Sequence, residues 1–296
     1  MNAPFGRVLT AMVTPFTADG AAVDLDAAAR LAVHLVDQGN DGLVLSGTTG
    51  EAPTTTDEEK DALLRTVVEA IGDRAKVVAG VGTNDTSHTV ELAKHAEKCG
   101  AAGVLVVTPY YSKPSQPGLV QHFRAVADGT GLPVMLYDIP GRSCVPISTD
   151  SLLRLAEHPH IVAVKDAKGD LYGTSTVLAE TDLAYYSGED ALNLPLLAIG
   201  AVGVVSVVSH VCAPRYVQMV DAVAAGDLDT ARAMNTAVLP AVRGIMTRIQ
   251  GAAAAKAALE MVGVTSNRAT RLPLVPATDD EVDVLHADLV AAGVLS

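Results

Sequence analysis

The sequence contains no tryptophan, and aromatic residues make up only 3% of its 296 positions. A core of this kind has to be filled by Ala, Val and Leu, which suits helices packed closely on a parallel sheet. Cysteine is scarce as well. Cys99, Cys144 and Cys212 are few, far apart and odd in number, which fits neither a disulfide framework nor a zinc site. They read as reduced thiols acting as small hydrophobes. Positive charge is in deficit, with a net charge of −13. That balance argues against a nucleic-acid partner, which needs a basic patch, and against electrostatic binding to an anionic membrane. Long apolar runs are missing too. The longest, near Leu196 to Val208, is broken by Gly200 and Gly203 and is too short to span a bilayer. No basic segment followed by a signal-type apolar region opens the chain, so a cytoplasmic location is expected.

What is present is a large apolar fraction, 49%, against 19% charged residues, enough for an extensive core. Short β-branched runs alternate with helical patterns along residues 1–225. Strands are expected at Val8–Val13, Gly42–Ser46, Lys76–Ala79, Val104–Val107, Pro133–Tyr137, Ile161–Val164, Leu183–Tyr186 and Gly203–Val208. Each is followed by an amphipathic stretch, the first at Asp24–Gln38, with Leu25, Ala28, Leu31, Ala32 and Leu35 on one face. Thr56-Asp57-Glu58-Glu59 reads as a capping box opening the second helix. Eight strand–helix units with short connections indicate an α/β fold closed into a (β/α)8 TIM barrel. A doubly wound open sheet fits less well, because no G-x-G-x-x-G turn follows the first strand. From residue 226 to 296 the strands stop. Helices are expected at 227–242, 252–261 and 279–292, forming a C-terminal helical region packed on the barrel.

In such a barrel the strand C-termini share one face, where active sites lie. Lys165 ends the run Ile161-Val162-Ala163-Val164 and is hard to explain by packing. Desolvation depresses a lysine pKa, and the neutral amine is a nucleophile that forms a Schiff base with a carbonyl. Its structural alternative is a lysine that leaves the strand and snorkels to water. Tyr137 ends strand five and is either a core filler or a proton shuttle. Gly47-Thr48-Thr49-Gly50 is either a tight turn or a cradle for a carboxylate. Arg142 is either a solvated loop charge or a fork for a carboxylate. Tyr110 and Tyr111 follow strand four, Gly188 and Glu189 follow strand seven, and Val205 lies in strand eight.

Four motifs together resemble those of the dihydrodipicolinate synthase family: Gly47-Thr48-Thr49-Gly50-Glu51, Thr108-Pro109-Tyr110-Tyr111, Tyr137-Asp138-Ile139-Pro140-Gly141-Arg142 and Val164-Lys165-Asp166-Ala167. This family belongs to the pyruvate-dependent class I aldolases, and the likeness runs in order over nearly the whole chain. The resemblance implies a homotetramer that condenses pyruvate with aspartate 4-semialdehyde in lysine and diaminopimelate synthesis, without metal or organic cofactor. It implies that Lys165 forms the imine and that Tyr137, Thr48 and Tyr111 relay protons, Tyr111 reaching in from a neighbouring subunit. Thr49, Gly188 and Val205 would hold pyruvate, and Arg142 the semialdehyde carboxylate.

The chain departs from the family pattern in two places. Asp138 stands where many members carry Asn, and its side chain is expected to point away from the site. Many members are inhibited by lysine through two histidines and a glutamate at a subunit interface. Asp57 and Lys60 fall at the histidine positions here and His88 at the glutamate position, so weak inhibition or none is expected. Ala52-Pro53 also stands where Ser-Ala is common, while Asn84 and Tyr110 are retained. Two other functions compete: a sialic-acid or keto-deoxy-sugar lyase using the same imine, and a non-catalytic keto-acid sensor. Arg142 suits a short carboxylated aldehyde better than a polyol, and a sensor would have no need of Lys165 and Tyr137.

Overall fold

The computed structural model describes residues 2–296. Strands β1 (Val8–Ala11), β2 (Gly42–Leu45), β3 (Lys76–Gly80), β4 (Gly103–Val107), β5 (Val134–Asp138), β6 (Ile161–Asp166), β7 (Ala184–Ser187) and β8 (Gly203–Ser206) pair in parallel in chain order. β8 returns to β1, with Leu9 opposite Val205, and closes the barrel. Side chains alternate along each strand with period two. Leu9, Val44, Val78, Leu105, Met135, Ala163 and Val205 fill the interior. Leu43, Val77, Val104, Leu136, Val164 and Val204 face the helices. Phe5 plugs the lower end, its backbone N–H donating to the Tyr186 hydroxyl. Gly103 makes that plug fit, since a Cβ there would stand 2.4 Å from the Phe5 ring.

The helices start where local chemistry dictates. Asp24 caps Leu25–Asp37 by accepting from the Ala27 N–H, and that helix buries Ala28, Leu31, Ala32 and Leu35. Thr56 and Glu59 form the expected capping box of Asp57–Ile71. Burying each such Leu or Val is worth roughly 1.5–3 kcal/mol, which lets an aromatic-poor core hold the barrel. Several ends shift by a few residues. β1 stops at Ala11 and β8 at Ser206, both earlier than expected, whereas β6 runs on to Asp166. Lys165 is therefore inside the barrel wall and not at a strand end.

After Ala225 come helices Leu228–Val242, Gly251–Met261 and Asp279–Ala291, with a π-helical turn at Arg243–Arg248 between the first two. Nothing local in the sequence marked that turn. It is organised by a residue far along the chain: Arg243 and Arg248 both pair with the buried carboxylate of Asp288. In Gly251–Met261 every side chain from Ala252 to Leu259 is buried, all of them Ala except Lys256 and Leu259. Among the described residues no helix is long and apolar enough to cross a membrane.

Candidate active site

β5 and β6 set Tyr137 directly beside Lys165, in register. Both side chains are almost wholly buried, and the Lys165 Nζ lies 4.0 Å from the centre of the Tyr137 ring. That is cation–π distance. Beneath the amine, Ala163 faces Ala184 across β6 and β7. These two small residues leave the lysine stem its space. Gly188 does the same from the side: a Cβ there would come within 2.7 Å of Lys165 Cγ and 2.9 Å of Cε. Gly188 thus lets the lysine pass beneath the backbone, a task additional to the expected contact with substrate.

Burial pushes the Lys165 amine down to about 8; Asp190 and Glu189 resist this and Arg142 adds to it. Burial pushes the Tyr137 phenol well above its ordinary range, against the opposing pull of the Arg142 charge and a Thr48 hydrogen bond. Desolvation disfavours the charged form of each group, so both are driven toward neutrality. The result is an amine that loses its proton far more readily than an ordinary lysine, beside a phenol that keeps its own.

Asp190 was missed in the sequence, although it closes the Gly188-Glu189-Asp190 turn after β7. Its buried carboxylate accepts from the Ser206 hydroxyl, the Asn193 amide and the backbone N–H groups of Val207 and Val208, the last two at 3.0 and 3.2 Å. It ties the end of β7 to the end of β8, where Val205 lies in the inner wall. The available signal was a carboxylate next to a strand end on the active face.

Thr48 and Thr49 follow β2 in a tight loop bounded by Ser46 and Glu51, both left-handed, with φ of +52° and +55°. Both threonines remain accessible at the barrel mouth. Arg142 occupies a single helical turn, Pro140–Ser143, and is exposed. Its charge is felt at both Lys165 and Tyr137, which puts it at the mouth of the site. Tyr111 is not brought to Lys165 within one chain. It is 88% exposed with φ of +72°, a conformation a bulky residue rarely adopts.

Asp138 points outward, as expected. It accepts from the Ile147 N–H at 3.1 Å and pairs with Lys168 at 3.2 Å. Among the described residues no group of three or more His, Cys, Asp or Glu side chains is arranged to hold a metal ion.

A desolvated lysine on the inner wall of a (β/α)8 barrel, beside a tyrosine that keeps its proton, fits a lyase. The chain belongs to the dihydrodipicolinate synthetase family, whose description matches residues 4–292. It is 71% identical to the 4-hydroxy-tetrahydrodipicolinate synthase of Kineococcus radiotolerans over 98% of this chain and 94% of that one. It is 64% identical to the Acidothermus cellulolyticus enzyme of the same name, again over 98% and 94%. The crystal structure of DHDPS from Cyanidioschyzon merolae with lysine bound has a TM-score of 0.96 at 40% identity, covering 99% of this chain and all of that one.

Proposed function

We propose that the protein is a 4-hydroxy-tetrahydrodipicolinate synthase that condenses pyruvate with L-aspartate 4-semialdehyde through an imine on Lys165. The observation that carries this reading is the buried Lys165 amine, brought down to about 8 beside Tyr137. At pH 8 about half of such an amine is neutral and able to attack the keto carbon of pyruvate. The carbonyl oxygen leaves as water and the protonated imine becomes an electron sink. A methyl proton then departs, and the enamine carbon attacks the aldehyde. The substrate amine displaces Lys165 by transimination as the ring closes. Tyr137 hands protons on and off, with Thr48 and Tyr111 continuing the relay. Thr49 and the backbone near Val205 hold the pyruvate carboxylate side, and Arg142 takes the semialdehyde carboxylate, to which its fork is matched.

Borohydride reduction in the presence of pyruvate, followed by mass analysis, tests the imine. A pyruvate-derived adduct is expected, and turnover is expected when aspartate 4-semialdehyde is supplied. Cleavage or condensation only with longer polyol aldehydes would instead favour a sugar-acid lyase.

The working assembly is a homotetramer in which Tyr111 completes a neighbour's site. The exposure and left-handed backbone of Tyr111 support this, since a large apolar ring is costly to leave in water. Mixing inactive Tyr111→Phe and Lys165→Ala proteins is expected to restore part of the activity after subunit exchange. No recovery in proven hybrids would count against the shared site. The reaction belongs to lysine and diaminopimelate synthesis, which we place in the cytoplasm.

A further inference from the structure

The loop that carries Thr48 and Thr49 ends in a charged residue that the chemistry above does not use. Glu51 is 2% exposed and sits in the left-handed region. Its carboxylate is taken by two groups from the far end of the chain. The Lys256 ammonium binds one oxygen and the Arg271 backbone N–H donates to the other at 2.9 Å. Lys256 is itself 3% exposed. It also donates to the Ala269 carbonyl at 2.7 Å and lies 4.1 Å from the centre of the Phe16 ring. The Arg271 guanidinium covers Phe16 as well, at 4.4 Å, and spends its donors on Glu59 and on the carbonyls of Gly20, Ala21 and Thr54. A second hold comes from the β1 side, where the Thr14 hydroxyl donates to the Gly50 carbonyl at 2.6 Å.

Stability alone is a poor reason for this arrangement. A buried ion pair is often no better than well-packed apolar residues of the same volume, because both charges must leave water. Here the pair sits in a helix whose other buried side chains from Ala252 to Leu259 are apolar, so an apolar contact at this point was available. What a carboxylate held through both oxygens adds is direction. It sets the rotation of the Glu51 side chain and, through its left-handed backbone, the orientation of the peptides just before it.

We infer that Glu51 and Lys256 are positioning residues for substrate, and that the C-terminal helices act on catalysis by holding the Thr48-Thr49 loop in the geometry that receives pyruvate. The inference rests on Thr49 being part of the pyruvate site. Misplacing such a loop weakens recognition of the group that it contacts and leaves the Arg142 end of the site intact.

The test uses full-length Lys256→Met and the double variant Glu51→Gln/Lys256→Met, titrated with each substrate while the other is saturating. The double variant should remain folded, because a neutral pair replaces the two buried charges. Its half-saturating pyruvate concentration should rise about tenfold, since small displacements of positioning groups are felt strongly. The half-saturating aspartate 4-semialdehyde concentration should stay close to that of the unaltered protein, and borohydride should still trap pyruvate on Lys165. An unchanged pyruvate half-saturation, an equal rise for both substrates, or a double variant that unfolds would each overturn the proposal. Lack of any pyruvate adduct on the unaltered protein is a separate failure, because it removes the imine itself.

Discussion

The Lys165 amine stands over the Tyr137 ring at 4.0 Å, the two residues being directly paired across β5 and β6 after a register shift between Val134 and Met135. Because the strands are hydrogen-bonded neighbours, the backbones that carry the two groups are fixed side by side. The proposed nucleophile and the proposed proton carrier thus lie side by side, and both are kept out of bulk water.

Lysine labelling should be selective. Lys168 follows only three residues later, but it lies on the outer side of the wall, bonded to the Ile147 carbonyl at 3.0 Å and paired with Asp138. Peptide mapping after pyruvate and borohydride should place the adduct on Lys165. An adduct on Lys168 would overturn the assignment.

Tyr137→Phe should fold normally, because the ring stays in its cavity and only the hydroxyl is lost. Turnover should fall by roughly two orders of magnitude, as expected when a general acid–base group is removed. Steady-state kinetics and a melting curve measure the two effects separately, and a variant with near-normal turnover would remove Tyr137 from the relay.

Imine formation should depend on pH through Lys165. Below about 8 the amine is mostly protonated, so single-turnover adduct formation should rise with pH and level off above that value. Arg142 contributes to the depression, so Arg142→Ala should move the inflection upward. A downward movement would show that the two charges do not interact in this way.

Asp138 gives a stability prediction of opposite character. Burial pushes its carboxyl up to about 6, with Lys168 opposing. A folded pKa above the unfolded value means that the native state holds the proton more tightly. This contribution to stability is complete below about pH 4 and is lost as pH rises through about 6. Asp138→Asn cannot titrate, so its stability relative to the parent should improve across that window, by at most about 3 kcal/mol for a shift of this size. Denaturant unfolding at pH 4 and pH 7 measures it, and a pH-independent difference would refute it.

Lysine should inhibit weakly or not at all. Asp57 already accepts from His88 at 2.8 Å and pairs with Lys60 at 3.3 Å, so the three side chains at the expected inhibitor pocket satisfy one another. Lys60 would repel the ligand's ammonium groups, and no carboxylate stands at position 88 to receive one. Loss of one partner from a desolvated charge pair costs about 2–5 kcal/mol, roughly 30-fold or more in affinity. Half-inhibition by sub-millimolar lysine in the condensation assay would contradict this.

The barrel and the buried lysine in its wall were legible in the sequence because both follow from short-range rules. Short β-branched apolar runs and helix caps mark the units, and eight consecutive units leave closure as the natural way to bury both faces of a parallel sheet. An apolar run leading straight into lysine singles out Lys165 by the cost of burying its charge. Other features depended on partners far away in the chain. Gly188 is dictated by the stem of Lys165, Asp190 by the turn after β8, and the π-helical turn by Asp288. Glu51 reads locally as the end of a turn, yet the three-dimensional structure buries it against Lys256 and Arg271. Local sequence patterns record what a residue prefers among its neighbours. Which carboxylate is buried, and which cation meets it there, is decided only when helices from the end of the chain pack against loops from its beginning.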